Sequence, residues 1–306
     1  MLSISESDVR RLLPMAKAIE LMREAFAGLA SGDSLNQPRR RLILPTGSVL
    51  HYMAAAHGPY FGTKIYSTNP RSGAHFTFLL YAAQDGRPLA TFEANHLGQI
   101  RTGAASAFAT SVMAPADAAT LGIIGSGFQA RTQVEAIAAV RTLREVKVWS
   151  RSSEKRSAFA AACTRDLGLR VVAAETAREA AGDAAIICTA TNAKDPVLEA
   201  DWISSSVHIN AMGSNQPQRR ELPSELISRA KLIVVDSLEQ ARMESGDLLI
   251  PLGSSQWPAS VVELKDVIAN PPPDGITIFK SNGLAVEDVI CAGYVYEAVL
   301  REKSYS

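Results

Sequence analysis

The stretch from Ala119 to about Val235 most constrains what this chain can fold into. Short apolar runs alternate there with helix-forming runs. TLGIIG is followed by FQARTQVEAIAAV, EVKVWS by SSEKRSAFAAACTRDLG, and then comes RVVAA. AAIICTAT, VHINAMG and KLIVVDS are further strands, each ending in small or polar residues. Strand–helix alternation of this kind builds a parallel, doubly wound sheet with helices on both faces. The expected fold class is α/β, a Rossmann-type sheet.

The turn after TLGIIG carries Gly125-x-Gly127-x-x-Ala130. A plain glycine turn has the same letters, so the context decides. A five-residue apolar strand precedes the motif, a helix follows, and a second strand ends about 20 residues on, the setting of a dinucleotide fingerprint. Gly125 makes the tight turn, Gly127 lets backbone approach a pyrophosphate, and Ala130 lets the helix pack on the sheet. The helix N-terminus then offers unpaired N–H groups and a positive dipole end to phosphate. The second strand ends in Trp149-Ser150-Arg151-Ser152, with no acidic residue at Ser150–Ser153 for a ribose 2′-hydroxyl. Ser150 and Arg151, with Lys155 and Arg156 nearby, suit a 2′-phosphate, so NADP(H) is expected in preference to NAD(H), which stays open. A solvated basic helix start is the other reading of Arg151. Thr189-Ala190-Thr191 and Asn210-Ala211-Met212-Gly213 lie at the carboxyl ends of later strands, the rim where ligands bind in such sheets. Either also reads as an ordinary strand-end turn.

Before this region the text is different. Ser5 or Ser7 caps a short helix, and Pro14 opens a second one whose apolar residues Ile19, Met22, Phe26 and Leu29 share a face. From Arg41 to Thr91, short β-rich runs are broken by turn sequences such as Asp85-Gly86, which reads as an antiparallel meander. HLGQIRTGAASAFATSVMA is an alanine-rich helix, and a late helix follows FKSNGLAVEDV. The expected organisation is a discontinuous α+β domain, residues 1–113 plus 287–306, around a Rossmann insert at 114–286. The chain has 306 residues and 31 acidic against 31 basic side chains. That balance argues against nucleic-acid or membrane binding. Three cysteines far apart match no metal or redox spacing, so no metal and a reduced cytoplasmic setting are expected.

Six motifs occur in order: QPRR (Gln37–Arg40), GTKIYSTNP (Gly62–Pro70), IRTGAAS (Ile100–Ser106), GSGFQA (Gly125–Ala130), NAMGSNQPQRREL (Asn210–Leu222) and FKSNGLAVEDV (Phe279–Val289). Together they resemble the ornithine cyclodeaminase and mu-crystallin family, which also holds archaeal-type alanine dehydrogenases and ketimine and pyrroline-carboxylate reductases. The resemblance implies a Rossmann domain inserted in a dimerisation and substrate domain, and hence a homodimer. It implies that Arg40 and Lys64 hold the substrate's α-carboxylate, with Arg101 between it and the cofactor. Thr77, Arg101 and Thr102 reach the cofactor from the first domain. Phe128 and Gln129 lie over the pyrophosphate, Asn210–Gly213 and Ser281 line the nicotinamide side, Arg219 belongs with the cofactor set, and Asn282 touches substrate. Residue chemistry agrees in part. Cations in an apolar meander are costly unless paired, and a guanidinium fork suits a carboxylate. Arg40, flanked by Arg39 and Arg41, also reads as a surface cation.

Two departures bear on activity. Where cyclodeaminases carry an aspartate, this chain has Asn215, and an amide cannot take a proton as a carboxylate does. Where they carry an acid in the first domain, it reads His51-Tyr52-Met53. The expected activity is therefore NAD(P)H-dependent reduction of an α-imino acid to the amino acid, or the reverse. Lys64, water or His51 would supply the proton, and His51 has a suitable unperturbed pKa. His51 also reads as a simple strand histidine. The alternatives are ornithine cyclodeaminase, which would use NAD catalytically, and a non-catalytic NADPH-binding crystallin-like protein.

Overall fold

In the computed structural model, residues 1–269 and 273–304 are described. Local chemistry accounts for the first elements. After β1 (Leu2–Ile4), the Ser5 side chain accepts from the Asp8 amide while the Asp8 carboxylate accepts from the Ser5 amide, a capping box that starts α1 (Glu6–Leu12). Pro14 stands at the N-cap of α2 (Met15–Ser31), and Gly32 ends that helix in the left-handed region. Then come β2 (Ser34–Asn36), β3 (Arg40–Ile43), β4 (Val49–His57), β5 (Tyr60–Asn69), β6 (Gly73–Ala82), β7 (Pro88–Glu93) and α3 (Asn95–Met113). Strands β4 to β7 are consecutive antiparallel neighbours, the meander expected from the turn sequences. β1 joins β7 in parallel, and β2 and β3 both pair with β4.

The chain continues through β8 (Thr120–Ile124), α4 (Phe128–Val140), β9 (Glu145–Trp149), α5 (Ser153–Leu167), β10 (Val171–Ala173), α6 (Ala177–Ala181), β11 (Ile186–Thr189) and β12 (Val207–Ala211). It then forms α7 (Ser224–Arg229), β13 (Leu232–Val235), α8 (Leu238–Glu244), α9 (Gly246–Leu252), β14 (Val261–Glu263), α10 (Leu264–Val267), β15 (Ile276–Lys280) and α11 (Ala285–Ser304). The second sheet is wholly parallel, in the order β10-β9-β8-β11-β12-β15-β13-β14. Alternate side chains of one strand feed separate cores on its two faces: Ile123 joins one cluster and Ile124 the other, as do Cys188 and Ile187. That two-sided burial is the doubly wound α/β architecture. Strand order reverses direction between β8 and β11, the switch point at which such sheets bind ligands.

Two compact units make up the chain: residues 1–104 with 283–306, and residues 105–282. The division falls inside α3 and just before α11, against expected limits at 113/114 and 286/287. α3 is one continuous helix across the division, so its apolar pattern carries no mark there. In the first unit α11 packs on β4, β5 and α2. No helix among the described residues is long and apolar enough to cross a membrane. Cys163, Cys188 and Cys291 are free and buried.

Candidate active site

In the second unit the glycine loop follows β8 directly. Gly125 has φ +116°, and a Cβ there would come within 2.6 Å of the Ala190 carbonyl oxygen, so only glycine fits. Its amide donates to Trp149 O at 2.8 Å, tying the loop to the end of β9. Gly127 is the N-cap of α4, and a Cβ there would enter open space. Nothing in the protein forbids a side chain at Gly127, so its absence leaves room for a ligand beside the N-terminus of α4, which has no side-chain cap. Phe128 is exposed on the first turn and Gln129 is half-buried. Ser126 donates its hydroxyl to Ser150 at 2.8 Å, and Ser150 in turn donates to Ser152 O. Arg151 is exposed at this strand end. Arg156 is buried, pairs with Glu175 at 2.6 Å and donates to Ser150 O, so it shapes the corner.

At the rim of the same sheet, two of the expected residues have buried side chains. Thr189 and Asn210 are fully buried, with side chains turned into the unit. Thr189 donates to Glu221, and Asn210 donates to Thr110 Oγ1 at 2.9 Å. The strands bury both faces, so these side chains face packing and not the rim. Thr191, Met212, Gly213 and Arg219 are half-buried, and Arg219 donates to Asn192 O. Asn215 lies half-buried in the loop after β12. Ser281 and Asn282 follow β15. The Asn282 amide donates to Asp236 Oδ2 at 2.6 Å, and the Ser281 hydroxyl lies 3.5 Å from the same oxygen.

In the first unit, Lys64 on β5 is 2% exposed, and its Nζ donates to Asp288 Oδ1 at 2.8 Å. Arg101 on α3 donates from Nη1 to Glu287 Oε2 at 2.7 Å, and its Nε lies 3.4 Å from Asp288 Oδ1. A Cβ at position 98 would sit 2.6 Å from Lys64 Nζ, so the glycine of IRTGAAS's preceding turn makes room for the ammonium. Burial pulls the Lys64 pKa down to about 8. Asp288 opposes that pull, and Arg101 and Arg39 add to it. Thr77 is exposed on β6, and the buried Thr102 hydroxyl bonds back to Gly98 O.

Arg40 is not part of this cluster. In the sheet Arg40 stands opposite Tyr52, whereas Lys64 stands opposite Met53. Successive side chains point to opposite faces, so Arg40 lies on the outer face with the exposed Leu42, Leu50 and Tyr52. Arg39, one residue earlier, is the buried arginine. It is 3% exposed, its Nη2 donates to Gly283 O at 3.3 Å, and its charge acts on Lys64. His51 also departs from expectation. It is buried, stacked on Tyr66 with ring centroids 4.2 Å apart, and its Nε2 meets Thr68 Oγ1 at 2.9 Å. Burial first, then Arg41 and Arg39, lower its pKa to about 4. The ring is neutral near pH 7, so it has no imidazolium proton to give.

Residues 2–303 match the profile of the ornithine cyclodeaminase/mu-crystallin family. The chain belongs to that family. A Bacillus cereus Delta(1)-pyrroline-2-carboxylate reductase is 36% identical over 325 residues, covering 99% of this chain and 98% of that protein. Among solved structures, Thermococcus litoralis Delta(1)-pyrroline-2-carboxylate reductase in complex with NADH and L-proline has TM-score 0.94 and 33% identity, covering 99% and 98% of the two chains. An archaeal alanine dehydrogenase dimer with bound NAD has TM-score 0.93 and 30% identity, covering 99% and 97%.

Sequence reasoning missed Arg39, Glu287, Asp288 and Glu221. All four lie within or beside the quoted motifs. In QPRR no local signal separates the two arginines, because β3 begins at Arg40 and Arg39 lies just before it. For the three acids no local signal exists, because only burial distinguishes them from surface carboxylates.

Proposed function

We propose that the chain is an NAD(P)H-dependent reductase that converts an α-imino acid to the amino acid, or runs the reverse dehydrogenation. One observation carries this reading. Among the described residues of the first unit, the buried charges are Arg39, Lys64 and Arg101 against Glu287 and Asp288. Lys64 and Arg101 meet the two carboxylates, Arg39 acts on Lys64, and three cations gathered in one buried cluster suit a substrate carboxylate. Arg39, in place of the Arg40 expected from sequence, and Arg101 hold it. Lys64, mostly charged at neutral pH, keeps the adjacent C=N carbon electron-poor and hands a proton to the nitrogen. The open space at Gly127, the N-terminus of α4 with no side-chain cap and the Ser126–Ser150 corner fit a dinucleotide's pyrophosphate and ribose. When bound, the reduced nicotinamide supplies the hydride that goes to the imine carbon, leaving amino acid and oxidised cofactor.

Asn215 supports reduction over ornithine cyclisation, since the amide accepts no proton there. Arg151, exposed just after β9 with no acidic residue at Ser150–Ser153, supports a preference for NADP(H), with NAD(H) also accepted. The relatives bound to NADH and to NAD leave that preference to this chain's own corner. A homodimer is also proposed. Leu42, Leu50 and Tyr52 form an exposed apolar face on one sheet, Leu42 being 56% exposed, and a second copy would cover it.

The test is oxidation of NADPH and NADH with Δ1-pyrroline-2-carboxylate, Δ1-piperideine-2-carboxylate, iminosuccinate, and pyruvate plus ammonia or methylamine. Turnover on at least one imine, faster with NADPH, is expected. Ammonia release from ornithine without net reduction overturns the reading in favour of the cyclodeaminase. Tight NADPH binding with no turnover on any imine favours a binding protein.

A further inference from the structure

Below the rim of the parallel sheet lies a buried carboxylate that none of the proposed chemistry uses. Glu221 is fully enclosed and accepts four hydrogen bonds. Its Oε1 accepts from the Thr191 amide and the Thr191 hydroxyl, both at 2.7 Å. Its Oε2 accepts from the Thr189 hydroxyl at 2.8 Å and the Gly213 amide at 2.7 Å. One side chain thus ties the end of β11 to the loop after β12. The approach is close, since a Cβ at Gly213 would collide with Glu221 Oε1 and with Thr191 backbone.

Glu221 is itself held from below. Asp247 Oδ1 accepts from the Glu221 and Leu222 amides at 2.7 and 2.9 Å. Lys280, the last residue of β15, lies 3.1 Å from Asp247 Oδ2 and donates to Ser214 O. The chain Glu221–Asp247–Lys280 therefore connects the carboxyl ends of β11, β12 and β15, three neighbours in the sheet. Burial raises the Glu221 pKa and Asp247 adds to that; Lys280 and the two threonine hydroxyls oppose it.

An amide could not replace this carboxylate. Each oxygen faces one backbone N–H, from Thr191 on one side and Gly213 on the other. Threonine hydroxyls can turn to accept, but a peptide N–H cannot. A glutamine would set its NH2 against one of these fixed donors in either orientation and free one of the two segments.

We propose that Glu221, through Asp247 and Lys280, is a positioning residue that sets the spacing of the strand ends carrying the nicotinamide half of the cofactor. This rests on the dinucleotide reading of the second unit. The glycine loop after β8 makes no hydrogen bond to Glu221; its Gly125 amide is tied to Trp149 O at the end of β9, and it meets the Glu221-held segment only by packing on Ala190 and Thr191, so the pyrophosphate and adenosine half depends on Glu221 far less.

That separation defines the experiment. Dissociation constants of ADP-ribose and NADH, and of their 2′-phosphorylated counterparts, are measured for the wild type, Glu221→Gln and Thr189→Val. ADP-ribose has the pyrophosphate but no nicotinamide. For Glu221→Gln, dinucleotide binding should weaken roughly tenfold or more, the scale of one charge-assisted hydrogen bond, while ADP-ribose binding stays within about two-fold. Thr189→Val removes a single donor and should shift the ratio in the same direction by less; it carries the test if Glu221→Gln does not fold. Parallel weakening of both ligands would mean general structural support and overturns the proposal, as does an unchanged ratio in both variants. A wild type that binds neither ligand overturns the cofactor reading itself.

Discussion

Lys64 and Asp288 form a buried ion pair that links the middle of β5 to the first turn of α11, Nζ to Oδ1 at 2.8 Å across 224 residues of sequence. Arg101 shares the same oxygen. The pair keeps an ammonium charged inside the protein, although burial pulls its pKa down to about 8.

A pH dependence follows from that value. Below pH 8 Lys64 carries the proton that the imine nitrogen needs. As pH rises through about 8 the proton is lost, and imine reduction should fall, approaching about tenfold per unit. Initial rates from pH 6 to 10 check this. Lys64→Ala should lower turnover roughly 10²–10⁴-fold, remove the limb near pH 8 and leave NADPH affinity unchanged. The folded pKa lies below the unfolded 10.5, so the unfolded chain binds more protons between those values. This group's contribution to stability therefore rises with pH across that window.

Arg39 and Arg40 should behave oppositely. Arg39→Ala is expected to raise the KM for the imino acid roughly ten- to a hundredfold, the loss of a charge-assisted hydrogen bond to carboxylate. Arg40→Ala, on the outer face, should leave KM within about two-fold. Steady-state kinetics of both variants decide the matter, and a larger effect at Arg40 would restore it as the carboxylate ligand.

Asp288→Asn should cost about 3–5 kcal/mol of stability, because it leaves buried cations without their shared carboxylate. Denaturant unfolding measures this. Combined with Lys64→Ala, the loss should be smaller than the sum of the single changes, since the two side chains interact directly.

Arg151→Ala should weaken NADPH about tenfold and NADH less than two-fold, as loss of a contact to the 2′-phosphate requires. Fluorescence titration with both cofactors tests it, and equal effects reject the contact.

His51→Gln should leave the pH profile between 5 and 8 unchanged. The ring's pKa of about 4 puts its titration below that range, despite the unperturbed value that makes histidine attractive as a proton donor. A limb that disappears with this substitution would return His51 to the mechanism.

Much of the architecture was legible because its causes are local. The alternation through Thr120–Val235, the turn at Gly125 and the caps at Ser5 and Gly32 depend on residues a few positions apart. Lys64 was also legible, since a cation within an apolar strand must have a partner. Its partner was not, because a carboxylate on α11 looks the same in sequence whether it meets solvent or an ammonium.

By itself, the sequence determined the parallel sheet, the phosphate-binding turn, the meander and the family. Tertiary structure alone decided which arginine is buried, because register puts Arg40 opposite the exposed Tyr52 while Arg39, just before β3, packs inside against Gly283 O. It alone lowered the pKa of His51, through burial beside Arg39 and Arg41. It turned Thr189 and Asn210 inward and gave Glu221 its four donors. Each of these depends on what long-range packing brings around a side chain, and neither residue type nor local spacing carries that information.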